Sequence, residues 1–242
     1  MAKQLLQGIY EESASPNHKI GELYIDPHGD KFRYVRNGGV ALAAGHLLQE
    51  PAEDTNFRSM VCAAAAAIGT NQVTVTLGGT AVTSGLFSDG LLAVESGTGL
   101  GQKFRIKSHT VQSSTTGEVT FTLDRPIETA LVATTTQVTV RKNPYNGVIE
   151  YPVTTQTGGA VGIALYAMTI SYYGWVQSGG DVYALFDTGT NTSNGVTGIG
   201  PSAAVAGSVK PQTGGEGGIV IGFAREVVSV DSTYGLVHLQ ID

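Results

Sequence analysis

Apolar and polar residues alternate along most of this chain, the signature of β-strands with one buried face. Residues 21–26 and 31–36 both alternate, and Pro27-His28-Gly29 between them sits between two aspartates, Asp26 and Asp30. Proline and glycine set off by aspartate have turn chemistry, so this segment predicts a β-hairpin. From Asn71 to Val140 the chain becomes rich in threonine and valine, with alternating runs at 72–77, 91–95, 103–107, 117–123 and 137–142. Threonine outside and Val, Phe or Leu inside is the pattern of a half-solvated antiparallel sheet. After Pro144 further strands are expected at 148–151, 164–168, 173–177, 182–186, 219–224 and 235–240, with Ser178-Gly179-Gly180-Asp181 reading as a turn. The only traces of helix lie at 61–68 and 5–10.

The expected fold class is therefore all-β: a small antiparallel β-barrel or sandwich with a second β-rich lobe inserted and an extended N-terminal arm. The arm would span residues 1–20, where the polar stretch Glu11-Glu12-Ser13-Ala14-Ser15-Pro16-Asn17 has no pattern and would order only against a neighbour. Residues 21–62 plus 143–242 would form the barrel, and 63–142 the threonine-rich lobe. Two consecutive domains would account for the same breaks.

Composition narrows the classes. The 242 residues include 33 glycines, only 14% are charged, and the net charge is -6. Such a chain is a poor counterion for phosphate, so no direct nucleic-acid partner is expected. No run reaches the roughly 18 apolar residues of a membrane helix, so no membrane partner is expected either. The first residues lack an apolar block of signal-peptide length, which makes synthesis in a host cytoplasm the expectation. The single cysteine, Cys62, lies among alanines and reads as a small buried hydrophobe.

Candidate chemistry is sparse. The five histidines, His18, His28, His46, His109 and His238, have no zinc-site spacing and no cysteine partner. His28 between Asp26 and Asp30 reads as a solvated turn, and His238 as an exposed or satisfied sheet residue. Gly97-Thr98-Gly99-Leu100-Gly101 leads into a strand pattern, whereas a phosphate loop needs a following helix. Lys103, Arg105 and Lys107 share a strand face that could meet an acidic partner or a sugar, although a solvated face explains them better. No enzyme, cofactor or metal site is expected. A glycine-rich, charge-poor β protein instead suits an assembly whose neighbours cover its strand edges. The glycine runs 190–200 and 212–218 read as surface loops.

Three segments carry a resemblance. Tyr172-Tyr173-Gly174-Trp175-Val176-Gln177-Ser178-Gly179-Gly180 resembles a strand and glycine turn of tailed-bacteriophage virion proteins. The hairpin at 21–38, and Ile221-Gly222-Phe223-Ala224 leading into 235–239, are similar to the same group, while 63–142 is not covered. The family is that of head decoration, or capsid cement, proteins. The resemblance implies a non-catalytic β-barrel, often a homotrimer, on the capsid exterior of a bacteriophage virion. It would stabilise the head by bridging major capsid protein subunits. The alternative is a phage tail or fibre component, or a host-glycan-binding β module. Tyr24, Phe32, Tyr34, Tyr172, Tyr173 and Trp175 are the interface or core residues expected from these segments, and Trp175 suits either role.

Overall fold

The computed structural model describes residues 5–154, 156–187, 197–212, 219–230 and 232–242. Among them the chain order begins β1 (Leu23–Ile25), β2 (Lys31–Asn37), β3 (Leu47–Gln49), a short 3-10 turn (Thr55–Phe57), β4 (Met60–Val61) and β5 (Gln72–Thr76). It continues with β6 (Leu91–Ser96), β7 (Lys103–His109), β8 (Glu118–Leu123), β9 (Gln137–Arg141), β10 (Asn146–Glu150) and β11 (Ala160–Ala164). The last strands are β12 (Tyr173–Leu185), β13 (Gly198–Pro201), β14 (Val209–Pro211), β15 (Gly222–Ala224) and β16 (Tyr234–Gln240). The fold is all-β with barrel-like sheets. Two compact units form, one from Met1–Ala52 with Pro144–Asp242 and the other from Glu53–Asn143.

In the unit Glu53–Asn143 the sheet runs β4-β9-β6-β7-β8-β5, antiparallel throughout. A bridge from Cys62 to Val75 joins the end of β4 to β5 and closes a barrel. Alternation does the sorting: Val73, Val75, Phe104, Ile106, Val119 and Phe121 are buried, while Thr74 and Thr120 share a 2.8 Å hydroxyl hydrogen bond on the other face. Residues 53–62, expected with the other barrel, pack here, since Phe57, Met60 and Cys62 belong to this core.

No helix forms at 61–68. Eight residues are too few to offset helix nucleation unaided, and neighbouring strands take their backbone groups instead. Cys62 N–H donates to Thr136, Ala63 N–H to Thr74, and Ala66 exchanges both bonds with Leu131. Described residues 5–10 likewise form bends and turns rather than helix.

The other unit carries a sheet in the order β1-β2-β10-β3-β11-β12-β16-β15-β13-β14, with an added β2–β12 pairing. That pairing closes β2, β10, β3, β11 and β12 into a five-stranded barrel around Val35, Leu48, Val148, Val161 and Val176. Beyond it the far half of β12 pairs with β16, and a parallel bridge from Phe186 to Val209 brings β14 back to the end of β12. A second small barrel results, filled by Leu47, Tyr151, Phe186, Ile199, Val237 and Leu239. The two barrels share one 13-residue strand.

Residues 178–181, expected as a turn, lie inside β12. The strand pairs with β2 as far as Gly179↔Lys31 and with β16 from Gly179↔Gln240 onward, with an irregularity between Gln177 and Gly179. Glycine here makes a corner in a continuous strand, where the sequence pattern predicted a reversal. Of the glycine runs 190–200 and 212–218, expected as surface loops, 190–196 and 213–218 lie outside the described residues, whereas Gly198–Pro201 is strand β13, paired with β14 and β15.

Candidate interaction site

The corner strand positions the aromatic residues expected from sequence. On the outer face of the five-stranded barrel, Trp175 of β12 stands opposite Tyr34 of β2, and Gln177 opposite Phe32. Trp175 and Tyr34 are fully buried and Phe32 is 3% exposed. Tyr24 of β1 packs on Phe32 and Trp175, with ring centroids 5.9 Å from each, and Tyr173 stacks on Tyr34 at 6.4 Å. Tyr172 is not part of this group and packs against the barrel core around Val35. Trp175 therefore fills a core and is not a contact surface.

What buries it is the N-terminal segment, expected to be a free arm. The Trp175 indole N–H donates to the Gln7 carbonyl, the Tyr34 hydroxyl to Gln7 Oε1, and the Asn17 amide to the Tyr34 hydroxyl. Ser13 bridges Tyr173, and the Glu12 carboxylate accepts from both the amide and the hydroxyl of Thr169. His18 lies edge-on to Tyr34 and Trp175, and its Nε2 accepts from the Leu6 amide. A segment without apolar periodicity is thus ordered by its own chain through side-chain hydrogen bonds, which periodicity does not detect.

The glycines of the Tyr172–Gly180 segment have specific tasks. A Cβ on Gly174 would lie 1.9 Å from the Tyr166 hydroxyl. That hydroxyl crosses the strand there to donate to the Glu11 carbonyl, and burial, followed by the nearby Glu12 carboxylate, pushes its pKa up. Gln177 Nε2 donates to the Gly179 and Asp181 carbonyls and pins the corner. Gly180 has φ +90°, and a Cβ there would collide with Asp30 Oδ1.

Past the corner, the outer face of β12 and β16 is open. Asp181 pairs with His238, and Tyr183 with Leu236, on that face. The Asp181 carboxylate accepts from His238 Nδ1 at 2.6 Å and from Arg225 at 3.1 Å. Burial raises its pKa, but the bonds from Arg225 and His238 outweigh this and hold it below the usual aspartate value. Beside this group lies a cleft of about 490 Å3 whose walls include Leu165, Val182, Leu236, Tyr10, Tyr183 and Tyr234. Sequence reading missed these three tyrosines, although Tyr183 occupies the outward position of its alternating run.

The remaining sequence candidates fall into place separately. Asp26 Oδ1 accepts from the His28 and Asp30 amides, so that segment is the expected hairpin turn. The turn brings His28, Asp30, His238 and Asp242 to the margin of a second, more polar cleft of about 300 Å3. Among the described residues no group of three or more His, Cys, Asp or Glu could hold a metal ion. Gly97, Gly99 and Gly101 all have positive φ in the turn between β6 and β7. Lys103, Arg105 and Lys107 lie exposed along β7, with Arg105 also donating to the Asp89 carbonyl. Cys62 is buried, and desolvation pushes its thiol pKa up.

Comparison with protein-family models, with curated proteins and with solved structures finds no match.

Proposed function

We propose that this chain is a virion structural protein that decorates the exterior of a bacteriophage capsid, bridges major capsid protein subunits and performs no catalysis. In this reading it associates with itself as a homotrimer and acts by binding preferentially to the assembled lattice, which stabilises that lattice by mass action.

The observation that carries the reading is the edge strand β1. It ends the ten-stranded sheet and consists of Leu23, Tyr24 and Ile25, none of them charged. Tyr24 turns inward, while Leu23 and Ile25 are 38% and 52% exposed. Edges left open to solvent are ordinarily blunted by shortness, charge, proline or a bulge, because unpaired backbone groups recruit another strand. Strand β1 is short and flanked by Glu22 and Asp26-Pro27, but carries no charge within it. An uncharged edge with outward aliphatic side chains suits a protein whose edge is covered by a neighbour, through strand addition reinforced by apolar contact. The segments that resemble decoration proteins support the same reading at the level of architecture, because their side chains build the hairpin and the β12 corner.

Stoichiometry in purified virions tests the proposal. A copy number commensurate with the major capsid protein lattice is expected, together with loss of head attachment in an Ile25→Lys variant that still folds. A protein present at tail copy number, or one that leaves the head intact and attached after that substitution, overturns it.

A further inference from the structure

The cleft beside the β12 corner is lined by exposed tyrosines. Three of its walls are tyrosines, with Tyr10 67%, Tyr183 55% and Tyr234 49% exposed. Exposed tyrosine gives a rigid apolar face and a hydroxyl at little cost in side-chain entropy. The lining also includes Leu165, Val182 and Leu236. The volume of about 490 Å3 falls within the roughly 300–1,000 Å3 range of small-molecule sites.

The site is also fixed in shape. Gly45 has φ +74°, and a Cβ on it would lie 2.4 Å from the Tyr234 ring. Only glycine allows the ring to rest there, with its hydroxyl donating to the Ala44 carbonyl. Tyr10 belongs to the N-terminal segment anchored through Gln7 and Glu11, which bond on either side of it. A preformed site loses less entropy when a ligand enters.

Charge then selects the ligand class. Asp181 is the charged residue of the lining, and Arg225 and His238 already engage it. Nearby Glu226 accepts from the Leu236 amide. Among the described residues, the lining holds no cation and the adjacent Arg225 and His238 are engaged by Asp181, while carboxylate and hydroxyl oxygens remain as acceptors. Flat aromatic faces combined with such acceptors match the C–H faces and hydroxyl groups of a pyranose.

We propose that the Tyr10–Tyr183–Tyr234 cleft binds a neutral oligosaccharide. This site is distinct from the β1 edge, so it stands or falls independently of capsid decoration. The sugar partner considered from sequence was the Lys103–Arg105–Lys107 stripe; the aromatic cleft lies in the other unit and has the surfaces for stacking that the stripe lacks.

Saturation-transfer NMR on the full chain with maltotriose, cellotriose, tri-N-acetylchitotriose and 3′-sialyllactose tests the assignment. At least one neutral trisaccharide is expected to bind, with transfer concentrated on ring protons, and sialyllactose is expected to bind more weakly. Tyr183→Ala should weaken binding about tenfold or more, as loss of a central aromatic contact does, while Tyr183→Phe retains most of it. Tyr10→Ala serves as a second variant should the first not fold. Absence of binding by all three neutral sugars overturns the proposal. So does preference for the charged sugar, or binding undiminished in folded alanine variants.

Discussion

The rings of Trp175 and Tyr34 meet edge to face, 5.1 Å between centroids, from directly opposed positions on β12 and β2. The pair lies on the outside of the five-stranded barrel and is nevertheless fully buried. Its cover is the N-terminal segment, which accepts from the Trp175 indole and both accepts from and donates to the Tyr34 hydroxyl. Trp175→Ala should therefore cost about 3–5 kcal/mol, the usual range for deleting a large buried aromatic. Urea denaturation followed by circular dichroism measures it, and a loss below about 1 kcal/mol would return Trp175 to the surface.

Removal of residues 1–17 deletes Gln7, Glu12 and Ser13, and with them the bonds to Trp175, Tyr34, Thr169 and Tyr173. The truncated chain should show red-shifted tryptophan emission and a lower unfolding midpoint. Unchanged emission would mean that the segment does not shield the indole. This is the reverse of the behaviour of a free arm, whose loss leaves the fold untouched.

Gly174 and Tyr166 should be energetically coupled. Gly174→Ala places a methyl where the Tyr166 hydroxyl lies, and should destabilise by about 1–3 kcal/mol through overpacking. Tyr166→Phe in the same chain removes the clashing oxygen and should recover part of that loss. A double-mutant cycle reads the coupling, and strict additivity would count against the contact.

Glu53 accepts hydrogen bonds from Arg58, and from Arg141 of β9 as well, and its carboxyl is held down to about 2 from an ordinary 4.5, against a smaller effect of burial. Because its folded pKa is depressed, the associated stabilisation is present above pH 4.5 and is lost as pH falls toward 2. The Arg58 side chain is largely solvated, which keeps the effect modest. Glu53→Gln should lower the urea midpoint at pH 7, with the difference from wild type vanishing near pH 2. A gap that persists at the acid end would assign the loss to packing.

Cys62 bridges Val75 inside the closed barrel and has no exposed surface. A thiol reagent should label it only upon unfolding. Rapid labelling of the native protein would place it in an opened seam between β4 and β5.

Much of this architecture was legible in the order of residues. Period-two alternation marked Val73/Val75, Phe104/Ile106 and Val119/Phe121 as inward pairs, and the Asp26–Asp30 turn announced its hairpin. Alternation is local, so it survives without knowledge of partners. It could not distinguish a glycine reversal from a glycine corner at 178–181, because both need the same freedom of φ. Nor could it detect β3, β13 and β14, whose three or four residues are too few to establish a period.

Sequence by itself determined the all-β class, the hairpin and which face of each long strand is apolar, since side chains alternate along any extended chain whatever lies beside it. Tertiary structure alone decided that two barrels share β12, that Trp175 lies beneath Gln7, and that Tyr10, Tyr183 and Tyr234 converge on one cleft. Those facts depend on which distant segments meet, and closure of a sheet is a property of all its strands together.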